Sequence, residues 1–139
     1  MRYLLDTNII LFLILSELDN LSFESIEIIG NNDNQLYVSS IAIVELIQLC
    51  NIGKIKSQKY ISTKEIINSI ENEFFIKMLP FTREHTQTLS NLKIPATHND
   101  PVDHSIIAHA ITEKLILVSS DRKFKDYVSQ RLLFSFNKR

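Results

Sequence analysis

Short apolar runs alternate with helical patterns from one end of this chain to the other, and few folds accommodate that order. Arg2 to Leu5 reads as a buried strand, followed by helical patterns from Thr7 to about Leu15 and from Phe23 to Ile29. Leu36 to Val38 is a second strand; Ser39-Ser40 then offers an N-cap for a helix to about Asn51, with Gly53 placed to end it. The capping box Ser62 to Glu65 starts a helix to about Glu73, and Phe75 to Leu79 is a third strand stopped by Pro80. Thr82 caps a helix to about Leu92. Asp100-Pro101, an N-cap followed by a first-turn proline, opens another to about Glu113. Leu115 to Val118 and Leu132 to Phe136 complete a set of four to five strands. Strands separated by helices predict a mainly parallel sheet with helices on both faces. No linker or composition shift divides the chain, so residues 1–139 are expected to form one domain.

Parallel strands share one carboxyl edge, where α/β folds place their ligands. Four carboxylates fall at or near that edge. Asp6 closes the first strand, Glu45 lies in the helix after the second, Asp103 sits at a helix start, and Asp121 follows the fourth strand. Asp6 has two readings, N-cap or ligand. Glu45 stands among Ile41, Ala42, Ile43, Val44, Leu46, Ile47 and Leu49, so it is expected to be partly buried, either salt-bridged or bound to a cation. Asp100 fits an N-cap, while Asp103 either favours the helix dipole or points into a site. Asp121 can cap a short turn through Phe124. Carboxylates gathered at one edge repel unless protons or cations compensate, and a hard, oxygen-binding cation such as Mg²⁺ suits that task.

Composition narrows the class. Hydrophobic residues make up 45% and charged residues 22%, with only two glycines and three prolines, as expected of a globular chain rather than a disordered one. The formal net charge of −1 does not announce a nucleic-acid binder, but the charge is unevenly spread. Residues 1–53 carry one basic and seven acidic side chains; residues 114–139 carry seven basic and two acidic ones. That basic end, with Arg122 and Lys123 beside Asp121, is either a solvated face or a place for phosphates. The single cysteine, Cys50, cannot form an intrachain disulfide and suits a reducing cytoplasm. The apolar run from Ile9 to Leu15 is too short to span a bilayer, and no membrane association is expected.

Among the histidines, His98 precedes Asp100 by two residues and is either a loop histidine bonded to backbone or a contact for a phosphate. His104 and His109 are five apart, a poor spacing for a shared helical metal site. His85 reads as a surface residue, and no Cys/His grouping suggests zinc.

Four stretches together resemble the motifs of the PIN-domain ribonucleases, of the kind found as VapC-type toxins of bacterial toxin–antitoxin pairs. They are Arg-Tyr-Leu-Leu-Asp-Thr-Asn at residues 2–8, Val-Ser-Ser-Ile-Ala-Ile-Val-Glu at 38–45, His-Asn-Asp-Pro-Val-Asp at 98–103 with Ile-Ile-Ala-His-Ala at 106–110, and Leu-Val-Ser-Ser-Asp-Arg-Lys-Phe at 117–124. The resemblance spans nearly the whole chain. It implies a three-layer α/β/α fold and hydrolysis of RNA phosphodiester bonds dependent on Mg²⁺ or Mn²⁺. The family's acidic residues fall on Asp6, Glu45, Asp103 and Asp121, with Asn8 and Ser119 at polar positions that organise the site. It also implies a cognate antitoxin and a homodimer. Asn99, Val102 and His104 depart from one subgroup's pattern and bear on substrate preference, since the acidic set is intact. The apolar helices around Ile9–Leu15 and Ile41–Leu49 are candidates for the groove that receives an antitoxin segment.

The sequence leaves two other readings open. An aspartyl-phosphate domain of the phosphatase type wants an Asp-x-Asp pair, but Asn8 occupies the second position. A non-catalytic binding module would use the carboxylates only as helix caps.

Overall fold

Strand β1 (Arg2–Leu5) lies at the centre of a five-stranded sheet, between β2 (Gln35–Ser39) and β4 (Ile116–Ser119). Strand β3 (Lys77–Leu79) flanks β2, and β5 (Leu133–Phe136) flanks β4, giving the order β3-β2-β1-β4-β5. Every neighbouring pair is parallel. The computed structural model describes residues 1–139. Six helices connect the strands: α1 (Thr7–Ile14), α2 (Phe23–Gly30), α3 (Ser40–Asn51), α4 (Thr63–Asn72), α5 (Arg83–Asn91) and α6 (Pro101–Glu113). Two 3-10 segments, Leu18–Asn20 and Arg122–Gln130, complete the set.

The helices form layers on both sides of the sheet. Successive strand residues point to opposite faces, yet Leu4, Leu5, Leu117 and Val118 are all fully buried. Both faces of the central strands are therefore covered, which is why β1 and β4 read as continuous apolar runs. The three-layer α/β/α arrangement is the one expected. No helix is long and apolar enough to cross a membrane.

Caps set most of the boundaries. Ser39 Oγ accepts from Ile41 N–H at the start of α3, Ser62 Oγ from Glu65 N–H at α4, and Asp100 Oδ1 from Val102 N–H at α6. In the capping box of α4 the return bond is displaced by one residue, since Glu65 Oε2 accepts from Ile61 N–H. The third strand is shorter than expected. Phe75 has φ 55°, in the left-handed region, so the chain turns there and extends only from Lys77.

The two apolar helices suggested as a docking groove belong largely to the core. Ile9, Ile10, Phe12, Leu13 and Ile14 of α1 and Ala42, Ile43 and Leu46 of α3 are buried in one hydrophobic cluster with β1, β2 and β4. Apolar pattern alone could not separate a core helix from a docking helix. Of the apolar residues in the two helices, Leu11, Leu15, Ile41, Val44, Ile47 and Leu49 keep exposed surface.

The sequence order of the strands reverses at β1, with β2 and β3 to one side and β4 and β5 to the other. The switch point therefore falls at the carboxyl ends of β1 and β4, the place where open α/β sheets bind ligands. The chemistry-bearing residues lie there.

Candidate acidic site

Asp6 stands at this switch point. Its N–H still belongs to the sheet, donating to Val118 O at 3.0 Å. Its carboxylate is buried, and its hydrogen bonds come from uncharged donors. Ser119 Oγ donates to Oδ2 at 2.6 Å, Asn8 Nδ2 to the same oxygen at 3.3 Å, and Thr7 N–H to Oδ1 at 2.9 Å. Burial, with smaller contributions from the charges of Asp103 and Glu45, pushes the Asp6 carboxyl up to about 7, although Ser119 and Thr7 oppose the shift. Asp6 is both the N-cap of α1 and a member of the cluster, so the two readings of the sequence are compatible.

Asn8 and Ser119 form the frame around it. Asn8 Oδ1 accepts from Ser120 N–H at 3.4 Å, and Ser119 Oγ accepts from Asp121 N–H at 3.1 Å while donating to Asp6. The loops after β1 and β4 are thereby tied together through two side chains.

Asp103 enters from the first turn of α6. His98 Nε2 lies 3.0 Å from its Oδ2, and His98 Nδ1 lies 2.7 Å from the hydroxyl of Tyr127. One proton arrangement satisfies this chain: Tyr127 O–H donates to Nδ1, and Nε2–H donates to the carboxylate. His98 and Tyr127 are buried, so the sequence's phosphate-contacting histidine is enclosed behind Asp103 with both ring nitrogens engaged. Its backbone carbonyl accepts from His104 Nε2 at 2.8 Å, which accounts for that histidine as well. Burial raises the Asp103 carboxyl above the ordinary range, the His98 bond lowers it, and the charges of Asp100 and Asp121 raise it further. One ligand atom from each of His98, Asp103 and Asp121 lies within 4.8 Å of the others.

Glu45 reaches the cluster from α3. It is half-buried, and burial raises its carboxyl, helped by the charges of Asp100 and Asp103. The Thr7 hydroxyl is near enough to ease this charge, yet it makes no hydrogen bond of normal geometry. Asp121 caps the 3-10 segment through Lys123 N–H at 2.9 Å. Asp100 is exposed and caps α6. Arg122 and Lys123 are exposed just beyond Asp121, and the Arg122 guanidinium lies 5.7 Å from the centre of the Phe136 ring.

None of the four carboxylates is ion-paired to a lysine or arginine. They are crowded, partly desolvated and short of positive charge. Such a set fits a hard divalent cation held by oxygen ligands.

The PIN-domain family model matches residues 3–129, which takes in all four carboxylates. The chain belongs to the PIN-domain family. A search of curated proteins finds no match to the sequence. Among solved structures, this PIN domain is similar to a chain of VapBC2 from Rickettsia felis bound to a DNA fragment from their promoter. That match has TM-score 0.70 and 23% identity, and covers 99% of this chain and 100% of that one. A chain of DNA-bound VapBC from Salmonella typhimurium matches with TM-score 0.67 and 20% identity over 98% of each chain. A chain of VapBC-1 from nontypeable Haemophilus influenzae gives TM-score 0.62 and 19% identity, again over 98% of each. At these identities the likeness is one of fold.

Two features of this PIN domain were not read from the sequence. Asn137, after β5, is fully buried. Its Oδ1 accepts from Ser22 N–H at 2.6 Å, while Nδ2 donates to Asn20 O at 2.8 Å and to Ser120 Oγ at 2.7 Å. It thus steadies the loop that carries Asp121, and a lone asparagine near a chain end gives no signal of that in one dimension. His85 is the other. It was expected on the surface but is only 2% exposed, packed between α5 and α6 with Nε2 2.9 Å from Glu113 Oε1. Its burying partner lies 28 residues away on another helix, which hides it from local pattern.

Proposed function

We propose that this PIN domain is a divalent-metal-dependent endoribonuclease and the toxin of a toxin–antitoxin pair. PIN domains are generally nucleases, and the observation that carries the reading here is Asp6. A carboxyl raised to about 7, facing two further carboxylates and no cationic side chain, is costly unless a cation joins it. Asp6 and Asp103 are the principal ligands in this reading, with Asp121 and Glu45 ligating directly or through water. The cation is Mg²⁺ or Mn²⁺. When bound, such an ion polarises phosphate oxygens and acidifies the attacking water.

The chain's own residues then have distinct tasks. Ser119, Asn8 and Thr7 N–H hold the Asp6 carboxylate in one orientation. His98 holds Oδ2 of Asp103 and leaves Oδ1 free to face the site. Glu45, half-buried with a raised affinity for protons, suits acceptance of a proton from water as it attacks phosphorus. Asp100 supports the set by fixing the start of α6. Arg122 and Lys123, exposed just beyond Asp121, hold the phosphates of the RNA in this reading. Attack by water with the 3′-oxygen as leaving group gives a 5′-phosphate and a 3′-hydroxyl.

The VapBC structures that share the fold support a cognate antitoxin as partner, and a homodimer and a cytoplasmic setting accompany that reading. The test is incubation of the purified chain with RNA in Mg²⁺ and in EDTA, with mapping of the ends. Cleavage that survives EDTA, or ends bearing a 2′,3′-cyclic phosphate, would overturn the metal-hydrolysis reading. Growth arrest on expression, relieved by the neighbouring gene product, tests the toxin reading separately.

A further inference from the structure

A second cluster of metal-ligating side chains lies on α5 and α6 and shares no residue with the acidic site. His85 comes from the first turn of α5; His109 and Glu113 are one helical turn apart on α6, on the same face. One ligand atom from each lies within 4.8 Å of the others. The two imidazole rings have centroids 4.0 Å apart.

The hydrogen bonding around the two rings is uneven. His109 is fully buried, and its Nδ1 lies 2.9 Å from Ser39 Oγ. Its Nε2 is buried and has no partner at all. An unpaired buried ring nitrogen is costly and calls for a partner. His85 is nearly as buried, with Nδ1 accepting from Thr82 N–H at 2.8 Å and with Thr82 Oγ1 3.0 Å away. Each ring therefore has a hydroxyl oxygen beside Nδ1 that can accept a proton there. A metal-bound histidine needs such a partner on its other nitrogen, because Nε2 must present a lone pair.

We propose that His85, His109 and Glu113 form a second metal site, selective for a divalent transition ion of the Zn²⁺ class. Two imidazoles and one carboxylate suit a borderline ion rather than Mg²⁺, which prefers oxygen ligands alone. His109 and His85 ligate through Nε2, and Glu113 through a carboxylate oxygen. The His85 proton moves from Nε2 to Nδ1, which then donates to Thr82 Oγ1, and Thr82 N–H gives up its bond to Nδ1. Glu113 is partly exposed, so that side gives the ion its entry and leaves room for water as a fourth ligand. The ion ties α5 to α6, and through Ser39 it braces the start of α3, the helix that carries Glu45.

Co²⁺ titration in millimolar Mg²⁺ tests this, because four-coordinate Co²⁺ absorbs visible light far more strongly than six-coordinate Co²⁺ in an all-oxygen site. One equivalent with the intense band is expected for the wild-type chain and for Asp6→Asn. Glu113→Gln and His109→Gln should each weaken that binding by at least ~10-fold. Zn²⁺ should raise the melting temperature of the wild-type chain, and raise that of Glu113→Gln by less at the same concentration. Glu113 is partly exposed, so its amide variant decides the matter if His109→Gln fails to fold. Absence of the band at saturating Co²⁺, or a band lost in Asp6→Asn and kept in Glu113→Gln, overturns the proposal.

Discussion

The Ser119 hydroxyl donates a 2.6 Å hydrogen bond to Asp6 Oδ2 across 113 positions of sequence. The same oxygen atom of Ser119 accepts from Asp121 N–H, so one side chain sets the relative placement of two of the four carboxylates.

Replacing Asp6 or Asp103 by asparagine keeps the shape and removes a charge the cation needs. RNA cleavage in Mg²⁺ should fall by at least ~10²-fold, the scale of losing an electrostatic group at a reacting centre. The melting temperature without metal should hold or rise, because repulsion is relieved. An Asp6→Asn variant that cleaves at the wild-type rate would remove Asp6 from the mechanism.

Asp6 should cost the metal-free protein stability as pH rises toward 7. The Asp6 carboxyl is raised from 3.8 to about 7 on folding, so the folded state holds the extra proton between those values. Its contribution favours folding at low pH and fades, by a few kcal/mol, as pH climbs through about 7. His109 acts in the opposite sense. Its folded value is depressed from 6.5 to about 4, so the unfolded state holds more protons in that interval and stability rises with pH there. The difference in unfolding free energy between wild type and Asp6→Asn isolates the first effect. In EDTA that difference should grow from pH 5 to about 7.5, in favour of Asn, and a flat difference would contradict the raised carboxyl.

Tyr127→Phe removes the hydroxyl beside His98 Nδ1 without changing the ring. Asp103 loses the brace behind its histidine, and Mn²⁺ affinity should drop by roughly 10-fold, the usual lower end for partners of metal ligands. His98→Gln should drop it further. Calorimetric Mn²⁺ titration checks both, and equal affinities for all three proteins would show that the relay does not position Asp103.

Asn137→Ala deletes three side-chain hydrogen bonds in a fully buried position. Leaving Ser22 N–H without its partner there should cost about 2–3 kcal/mol, read by urea denaturation. A change below about 0.5 kcal/mol would show that water replaces the amide at no loss.

Much of this was legible in the sequence because it depends on local chemistry. Ser39, Ser62, Asp100 and Asp121 are capping residues at the positions where their segments begin. The alternation of strand and helix required parallel pairing, which sent Asp6, Glu45 and Asp121 to a common edge. What escaped the reading depends on partners remote in sequence. His98 meets Tyr127, His85 meets Glu113, and Asn137 meets Ser22 only after the layers have packed. Phe75 is a different case: nothing in its side chain asks for a left-handed backbone, and its strand began two residues late.

The position of β1 also governs when the acidic cluster comes into being during synthesis. β1 ends at Leu5, but one neighbouring strand, β4, begins only at Ile116. Most of the chain must therefore be made before Leu4 and Leu5 find their second flank, and contacts of such long range form slowly. Asp6 waits for Ser119 over the same interval. A chain that reaches only β3 carries Asp6 and Glu45 but neither Asp103 nor Asp121, so the acidic cluster is not yet assembled.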